Sequence, residues 1–349
     1  MKRFLLAVCV SMALVMMIAP AYAMELWEPH LPGVDEGLAA GALPPAGFYF
    51  INDSYFATDF KAYDYKGNAA AQTKLTGSYV DVPILIWSTG CKFLNADYAM
   101  GIAQPFDQTT LRAGTSSIGP LGYESAVTGA QWGTFNTVLI PLALSWKIPC
   151  DFRVKFAFAI GVDDAWTSVN DSLASIAPHL YGNKLLDHSG PNNTPINAYA
   201  WSGLGEWFFT PNVGISWLHA GWNLSADFWY TWSMKATDAD IQSGGMFQAD
   251  YTATYTCGKW TFGVGATQNL QVDQDKGVFL NGAGVPVYGS IAHSIETKYA
   301  VGPILGYNFG PCSLMLVYNW GVDQQNCVAG NFLNARLVIP LGNPYPLGK

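Results

Sequence analysis

Residues 151–162 read DFRVKFAFAIGV and decide the fold, because they alternate strictly between two faces. Bulky apolar side chains occupy one face, and Arg153 and Lys155 share the other with small residues. Alternation with a period of two is the signature of a β-strand whose faces meet different surroundings. Residues 222–235 (WNLSADFWYTWSMK) repeat the pattern with aromatic side chains. These stretches predict an all-β chain.

About twelve such runs lie between residues 48 and 341, and tight and long connections alternate between them. The predicted tight turns fall at residues 88–91, 148–150, 219–221, 257–258 and 310–312. The predicted long polar loops are 59–76, 106–130, 163–205, 237–245, 273–295 and 324–330. Short periplasmic turns and long extracellular loops are typical of outer-membrane barrels. We therefore expect a transmembrane antiparallel up-and-down β-barrel of about 12 strands at residues 47–342.

The composition supports a membrane barrel and excludes several other classes. Charged residues make up 12% of the 349 residues and aromatic residues 14%. Disordered chains are rich in charge and poor in aromatics, so disorder is excluded. The chain has only 17 Lys and Arg residues and a net charge of −8, so it lacks the positive charge that nucleic-acid binding requires. The alternative, a secreted β-sandwich, needs more Lys and Glu on its wet face, and aromatic residues near the strand ends favour the two girdles of a barrel.

The N-terminus has the features of an export signal. Lys2 and Arg3 precede an apolar run that ends at Ala21-Tyr22-Ala23, a small-x-small cleavage site. A signal peptide at residues 1–23 predicts export to the outer membrane of a Gram-negative cell, with membrane lipid and the barrel-assembly machinery as partners. Residues 24–46 are predicted to form a periplasmic tether or a plug, with a short helix at 34–40. Residues 343–349 form a C-terminal tail.

Polar residues on the second face of the strands are candidates for the lining of the lumen. They either form a polar ladder along a solute path or pair with each other and fill the lumen. Trp229 instead suits an apolar conduit for hydrophobic solutes. The lumen-facing candidates are Asp81, Asn95, Asp97, Arg153, Lys155, Asp227, Trp229, Asp250, Lys298 and Arg336.

Cysteines and histidines carry weaker signals. Cys91, Cys150, Cys257 and Cys312 lie in predicted turns, and disulfides Cys91–Cys150 and Cys257–Cys312 are conceivable, although neighbouring turns lie about 10 Å apart. No spacing predicts a metal site or a cofactor. An enzyme of the barrel lipase type has only His188-Ser189-Gly190 in its favour, without a G-x-S-x-G motif. A structural or adhesive barrel is the other alternative.

The sequence resembles the outer-membrane family named for the meta-pathway of phenol degradation. The resemblance covers most of the chain after residue 23 and is most specific around KATDADIQSGGMFQADY, which begins at Lys235. Other matching segments are EGLAAGALPPAGFYFINDSYF from Glu36, VPILIWSTGCKFLNADYAMGIAQPF from Val82 and VGPILGYNFGPCSLMLVYNW from Val301. The resemblance implies a barrel that is not an enzyme and that passes small hydrophobic, often aromatic, compounds across the outer membrane. The turn cysteines depart from the family pattern.

Overall fold

The fold is all-β. A computed structural model of the chain describes residues 28–63, 66–115, 125–167, 206–235, 241–280, 286–290 and 295–342. The predicted signal peptide, the sequence around His188 and the C-terminal tail lie outside these residues. The strands are β1 (Gly47–Tyr63), β2 (Ala69–Phe93), β3 (Ala96–Ala103), β4 (Phe106–Thr115), β5 (Ser125–Thr134), β6 (Val138–Lys147), β7 (Phe152–Gly161), β8 (Trp166–Thr167), β9 (Phe208–His219), β10 (Trp222–Ser233), β11 (Ile241–Gln242), β12 (Met246–Cys257), β13 (Trp260–Gln271), β14 (Lys276–Leu280), β15 (Pro286–Ser290), β16 (Thr297–Asn308), β17 (Ser313–Gln325) and β18 (Val328–Gly342).

Twelve antiparallel strands close into a barrel because β1 pairs with both β2 and β18. The order around the ring is β1, β18, β17, β16, β13, β12, β10, β9, β7, β6, β3 and β2. Strands β4 and β5 continue β3 and β6 as a hairpin beyond the ring, and β8 pairs with β5. The predicted fold class, an up-and-down barrel of about 12 strands, is confirmed.

Each strand turns one face inward and the other outward, as the alternation predicts. In β10, Asp227 and Trp229 are 1% and 7% exposed, whereas Tyr230 and Trp232 lie on the outer face and are about 40% exposed. The outer surface also carries exposed aromatic residues beside the tight turns, such as Trp222 and Trp260. No helix among the described residues is long and apolar enough to cross a membrane.

The first predicted turn, at residues 88–91, is wrong. Strand β2 continues to Phe93, and the chain reverses at Leu94 and Asn95, which both have positive φ. Gly90, with φ of 73°, lies at an irregularity in the pairing of β2 with β3. Glycine favours left-handed backbone, but such a residue marks a bulge as readily as a turn.

Four predicted long loops are wrong in part. Strands β1 and β2 extend into 59–76, β4 and β5 occupy much of 106–130, and β14 and β15 form a hairpin within 273–295. Residues 324–330 form a tight turn, because only Asn326 and Cys327 separate β17 from β18. Polar residues and glycines interrupt the apolar alternation in these segments, so their strands were not recognised.

Candidate functional site

The N-terminal segment, residues 28–46, lies inside the barrel and is hydrogen-bonded to its inner wall. The backbone N–H groups of Gly33 and Asp35 donate to the two carboxylate oxygens of Asp250, both at 3.0 Å. Further along, Gly37 N–H donates to Thr252 Oγ1 at 2.8 Å. Side chains of the wall therefore accept hydrogen bonds from the backbone N–H groups of a segment that pairs with no strand.

The helix predicted at residues 34–40 is absent; the segment forms consecutive turns. Gly33 and Gly37 have φ of 73° and 84°, in the left-handed region that a right-handed helix excludes. Their N–H groups bond to Asp250 and Thr252 instead of to carbonyls one helical turn back. Hydrogen bonds from these two N–H groups to side chains of the wall therefore take the place of helical hydrogen bonds within the segment.

The segment also passes close to the wall further on. Gly41 N–H donates to Ser216 Oγ at 2.7 Å, and Ser145 Oγ donates to Gly41 O at 2.7 Å. A Cβ on Gly41 would lie 2.2 Å from Arg153 O, and one on Gly214 would lie 2.1 Å from Ala40 O. Small residues on both sides therefore allow backbone to pack on backbone here.

Charged residues inside the barrel form buried pairs. Lys155 Nζ lies 2.9 Å from Asp227 Oδ2, and Asn212 donates to the other oxygen of that carboxylate. Arg336 Nε donates to Asp53 Oδ1 at 2.9 Å. Both pairs join nearby strands along the inner wall rather than opposite sides of the lumen.

A third pair connects the wall to residue 28. Lys298 donates to Glu28 and lies 2.8 Å from Glu296 Oε1, so two carboxylates share one ammonium group. Burial raises the pKa of Glu296 to about 8; the Glu28 carboxylate adds to the shift and Lys298 opposes it. Glu206, which precedes β9, has its pKa raised to about 7, again mainly by burial.

Most of the predicted lumen residues lie on inward faces, but Asp81 and Asn95 do not. Asp81 lies between Val80 and Val82, which are buried at 0% and 6%, and therefore points outward. Its carboxylate accepts hydrogen bonds from Asn52, Ser54 and Tyr79. The prediction failed because the inner face of β2 is apolar, so polarity does not identify the lumen side of this strand.

The other correction lies at the first tight turn. Asn95 is exposed in the turn itself, with φ of 62°. That prediction assumed that the turn lay further back, at residues 88–91.

Asp97 lies on the inner face of β3, because it is the cross-strand partner of Ser145, whose Oγ donates to Gly41 O of the N-terminal segment. It pairs with Lys92, and the side chains of Asp97 and Lys92 are 39% and 62% exposed.

The two predicted disulfides are absent. Cys91, Cys150, Cys257 and Cys312 are free thiols, and the first three are exposed. Neighbouring turns are centred two strand spacings apart, about 10 Å. That separation exceeds the Cα distance of about 7 Å that a disulfide spans.

A cavity of about 250 Å³ lies between the N-terminal segment and one side of the wall. Strands β2, β3, β6 and β7 line it with small and aliphatic side chains, and Leu31, Val34 and Leu38 face it from the segment. The polar groups are fewer and come from the segment, β1, β7 and β9: His30, Asp35, Asp53, Lys155, Thr210 and Asn212. The wall residues that give the cavity its apolar character include Val82, Ile84, Ile86, Ala99, Ala143 and Ala157.

The lumen thus has two unlike halves. One half, from β9 round to β18, carries most of the hydrogen bonds to the N-terminal segment, for example from Asn319 to Glu36 and from Arg336 to Glu36 O. The other half, from β2 to β7, is mostly apolar apart from residues such as Lys155, and it borders the cavity. The segment is bound on one side and leaves space on the other.

Sequence reasoning missed four residues of this arrangement: Glu28, His30, Glu36 and Asp53. The first three belong to a segment without periodicity, so no strand register predicts where they point. Asp53 lies in β1 between Ile51 and Tyr55, both buried, and the same alternation indicates its inward position.

The closed ring of twelve antiparallel strands, with an apolar outer face, has the fold of an outer-membrane β-barrel. Residues 192–337 match the family model described as "Putative MetA-pathway of phenol degradation". The resemblance predicted from the sequence is confirmed over that range. A comparison with curated proteins finds no match.

Solved structures are similar to this chain, and the first of the following supports the same fold. The crystal structure of an outer membrane channel from Pseudomonas putida F1 superposes with a TM-score of 0.60 at 12% identity, covering 88% of this chain and 99% of that chain. The toluene transporter TodX from P. putida gives a TM-score of 0.45 at 11% identity, covering 86% and 91%. The toluene transporter TbuX from Ralstonia pickettii gives 0.40 at 11% identity, covering 84% and 89%.

Proposed function

We propose that the protein is an outer-membrane channel for the passive uptake of small hydrophobic or aromatic compounds. The observation that carries the proposal is the apolar cavity of about 250 Å³ inside the barrel. Pockets of this kind, lined by apolar side chains with a few polar groups, are typical of sites for small molecules. The proposal assigns no catalytic role to the lumen residues.

The apolar outer face of the barrel supports a location in the outer membrane. A barrel whose outer face exposes Phe156, Phe262 and Val264 suits a lipid surface, and exposed aromatics beside the turns suit a membrane interface. The signal peptide predicted at residues 1–23 would direct such a chain to the Gram-negative outer membrane. Lipid and small hydrophobic solutes are then its partners.

We further propose that residues 24–46 act as a plug. Of these, 28–46 are bound to the polar half of the lumen, and the paired charges close that side to water. A solute that uses the apolar half would pass between Leu38 of the segment and wall residues such as Ile86 and Ala143. Such a route favours hydrophobic solutes over ions.

The test combines conductance with solute flux. Purified folded protein in a planar bilayer should show little steady ion conductance, because the plug and the charge pairs occupy the lumen. The same protein in liposomes should speed the entry of toluene or phenol above that of protein-free liposomes. Large ohmic steps together with no gain in aromatic flux would refute the proposal and indicate a general water-filled pore.

A further inference from the structure

Three side chains that could ligate a metal meet where the N-terminal segment contacts the wall. His30 Nε2 lies 3.7 Å from Asp35 Oδ2 and 3.7 Å from Asp250 Oδ2. The three ligand atoms all lie within 4.8 Å of one another. His30 and Asp35 belong to the segment, whereas Asp250 belongs to β12.

The His30 nitrogen is a buried polar atom without a hydrogen bond. Nε2 has no hydrogen-bond partner, and 3.7 Å is too long for a hydrogen bond to either carboxylate. Buried nitrogen atoms rarely lack a partner, because an unsatisfied one costs about 1–3 kcal/mol. An unpartnered buried imidazole nitrogen that faces two carboxylates points to a missing ligand.

The distances suit a metal ion better than direct pairing. Zinc binds His nitrogen at about 2.0–2.1 Å and carboxylate oxygen at about 2.0–2.2 Å. Two such ligand atoms at the tetrahedral angle around the ion lie about 3.4 Å apart, so the separation of 3.7 Å on both sides of His30 needs to close by only a few tenths of an ångström. Mixed nitrogen and oxygen ligands select a borderline ion such as Zn²⁺ rather than Ca²⁺ or Mg²⁺.

The surroundings hold the three groups in place. The ring of His30 stacks on Trp229, with centroids 3.9 Å apart and planes 24° apart. The Asp250 carboxylate accepts the N–H groups of Gly33 and Asp35, one on each oxygen. Hydrogen bonds that orient a ligating carboxylate in this way are a regular feature of metal sites.

We infer that His30, Asp35 and Asp250 form a binding site for one Zn²⁺ ion, which joins the N-terminal segment to β12. Because His30 and Asp35 also line the cavity, water in the cavity can reach an ion bound there and complete its coordination. This site does not depend on the proposed transport function. It adds a metal contact to the hydrogen bonds that hold the segment.

The test uses the purified full-length folded protein with its free thiols alkylated by iodoacetamide, because Cys91, Cys150 and Cys257 are exposed and would bind zinc themselves. Calorimetric titration with ZnCl₂ should show one ion per chain. The variants His30→Gln and Asp35→Asn should lose that binding, together with the rise in Tm that zinc causes in the parent protein. Asp250 is left unchanged because its carboxylate also binds the backbone of the segment.

His219→Gln is the matched control. His219 pairs with Asp151 at an exposed turn and is not one of the three proposed ligands, so the variant should bind zinc like the parent. Titration with Co²⁺ adds a second readout: nitrogen and oxygen ligands give visible d–d bands without the thiolate charge-transfer band. Absence of zinc from the alkylated parent, or retention of zinc in both segment variants, would overturn the assignment and leave His30 as an imidazolium between two carboxylates.

Discussion

Arg336 donates from Nε to Asp53 Oδ1 at 2.9 Å, and the two residues are direct partners across β1 and β18, the strands that close the barrel. Both side chains are at most 2% exposed. The same guanidinium donates from a terminal nitrogen to Glu36 O at 2.7 Å. One cation therefore joins the first strand, the last strand and the N-terminal segment.

The first prediction concerns this pair. Arg336→Met leaves the Asp53 carboxylate buried without its cation, and breaking a buried pair in this way costs about 3–5 kcal/mol. The free energy of unfolding, measured by tryptophan fluorescence in urea with the protein in detergent micelles, should fall by that amount. Lys92→Met, which removes the exposed Lys92–Asp97 pair, should change it by less than about 1 kcal/mol. Equal effects of the two substitutions would contradict the role assigned to Arg336.

The second prediction concerns the close approach of the segment to β7 and β9. Gly41→Ala places a Cβ 2.2 Å from Arg153 O, and Gly214→Ala places one 2.1 Å from Ala40 O. Backbone atoms cannot move aside as a flexible side chain can, so each substitution should displace the segment from the wall. Ion conductance in a planar bilayer should rise in both variants. The double variant should add little, because the two residues act on the same contact.

Gly258→Ala is the control for these two variants, because it tests whether a general loss of stability alone raises ion conductance. Gly258 has φ of 60° in a tight turn, and a Cβ there meets nothing within 4 Å. Alanine in left-handed backbone costs about 1–2 kcal/mol, so stability should fall. Conductance should stay at the parent level. A rise in conductance in Gly258→Ala would show that any destabilisation opens the barrel.

The third prediction is a pH dependence of stability that depends on Glu296. Burial and the neighbouring Glu28 raise the pKa of this carboxyl from its ordinary value of 4.5 to about 8. Between these two values the folded protein holds a proton that the unfolded chain has released. The free energy of unfolding should therefore decrease as pH rises from about 5 to about 8, with a slope of at most about 1.4 kcal/mol per pH unit.

Glu296→Gln should flatten this slope, because an amide does not titrate. The measurement is urea unfolding of both proteins at several pH values across that window. Glu206→Gln is the matched control. Because the pKa of Glu206 is raised only to about 7, this substitution should reduce the slope below about pH 7 and leave the slope between pH 7 and pH 8 unchanged. An unchanged slope in Glu296→Gln would show that the proton binds elsewhere.

The strands were predictable from the sequence because each separates two environments. In β7 and β10 the outer face is apolar and the inner face carries Lys155 and Asp227, so alternation gives both the strand and its register. In β2 the inner face is apolar as well, since Val82 and Ile84 line the cavity, and the side on which Asp81 lies was assigned wrongly. Period-two reasoning works only where the two faces differ in polarity.

The interior was much less predictable. The N-terminal segment has no periodicity, and its structure is determined by groups more than 200 residues away, such as Asp250 and Arg336. Local signals predicted a helix there, and tertiary hydrogen bonds from the wall overrode it. The cavity exists because the segment binds one half of the lumen, a fact that no single stretch of sequence contains.

The last prediction concerns a wall substitution that fills the cavity. Ala157 lies on the inner face of β7, is 8% exposed and borders the cavity, so Ala157→Phe places a ring in the space proposed for solutes. Because room is available, the stability cost should stay below the 1–3 kcal/mol that is usual for overpacking. Flux of toluene or phenol into liposomes should fall towards the protein-free rate. Ala226→Phe adds the same ring on the outer face of β10 and should leave flux unchanged; equal flux in both variants would place the solute route outside this cavity.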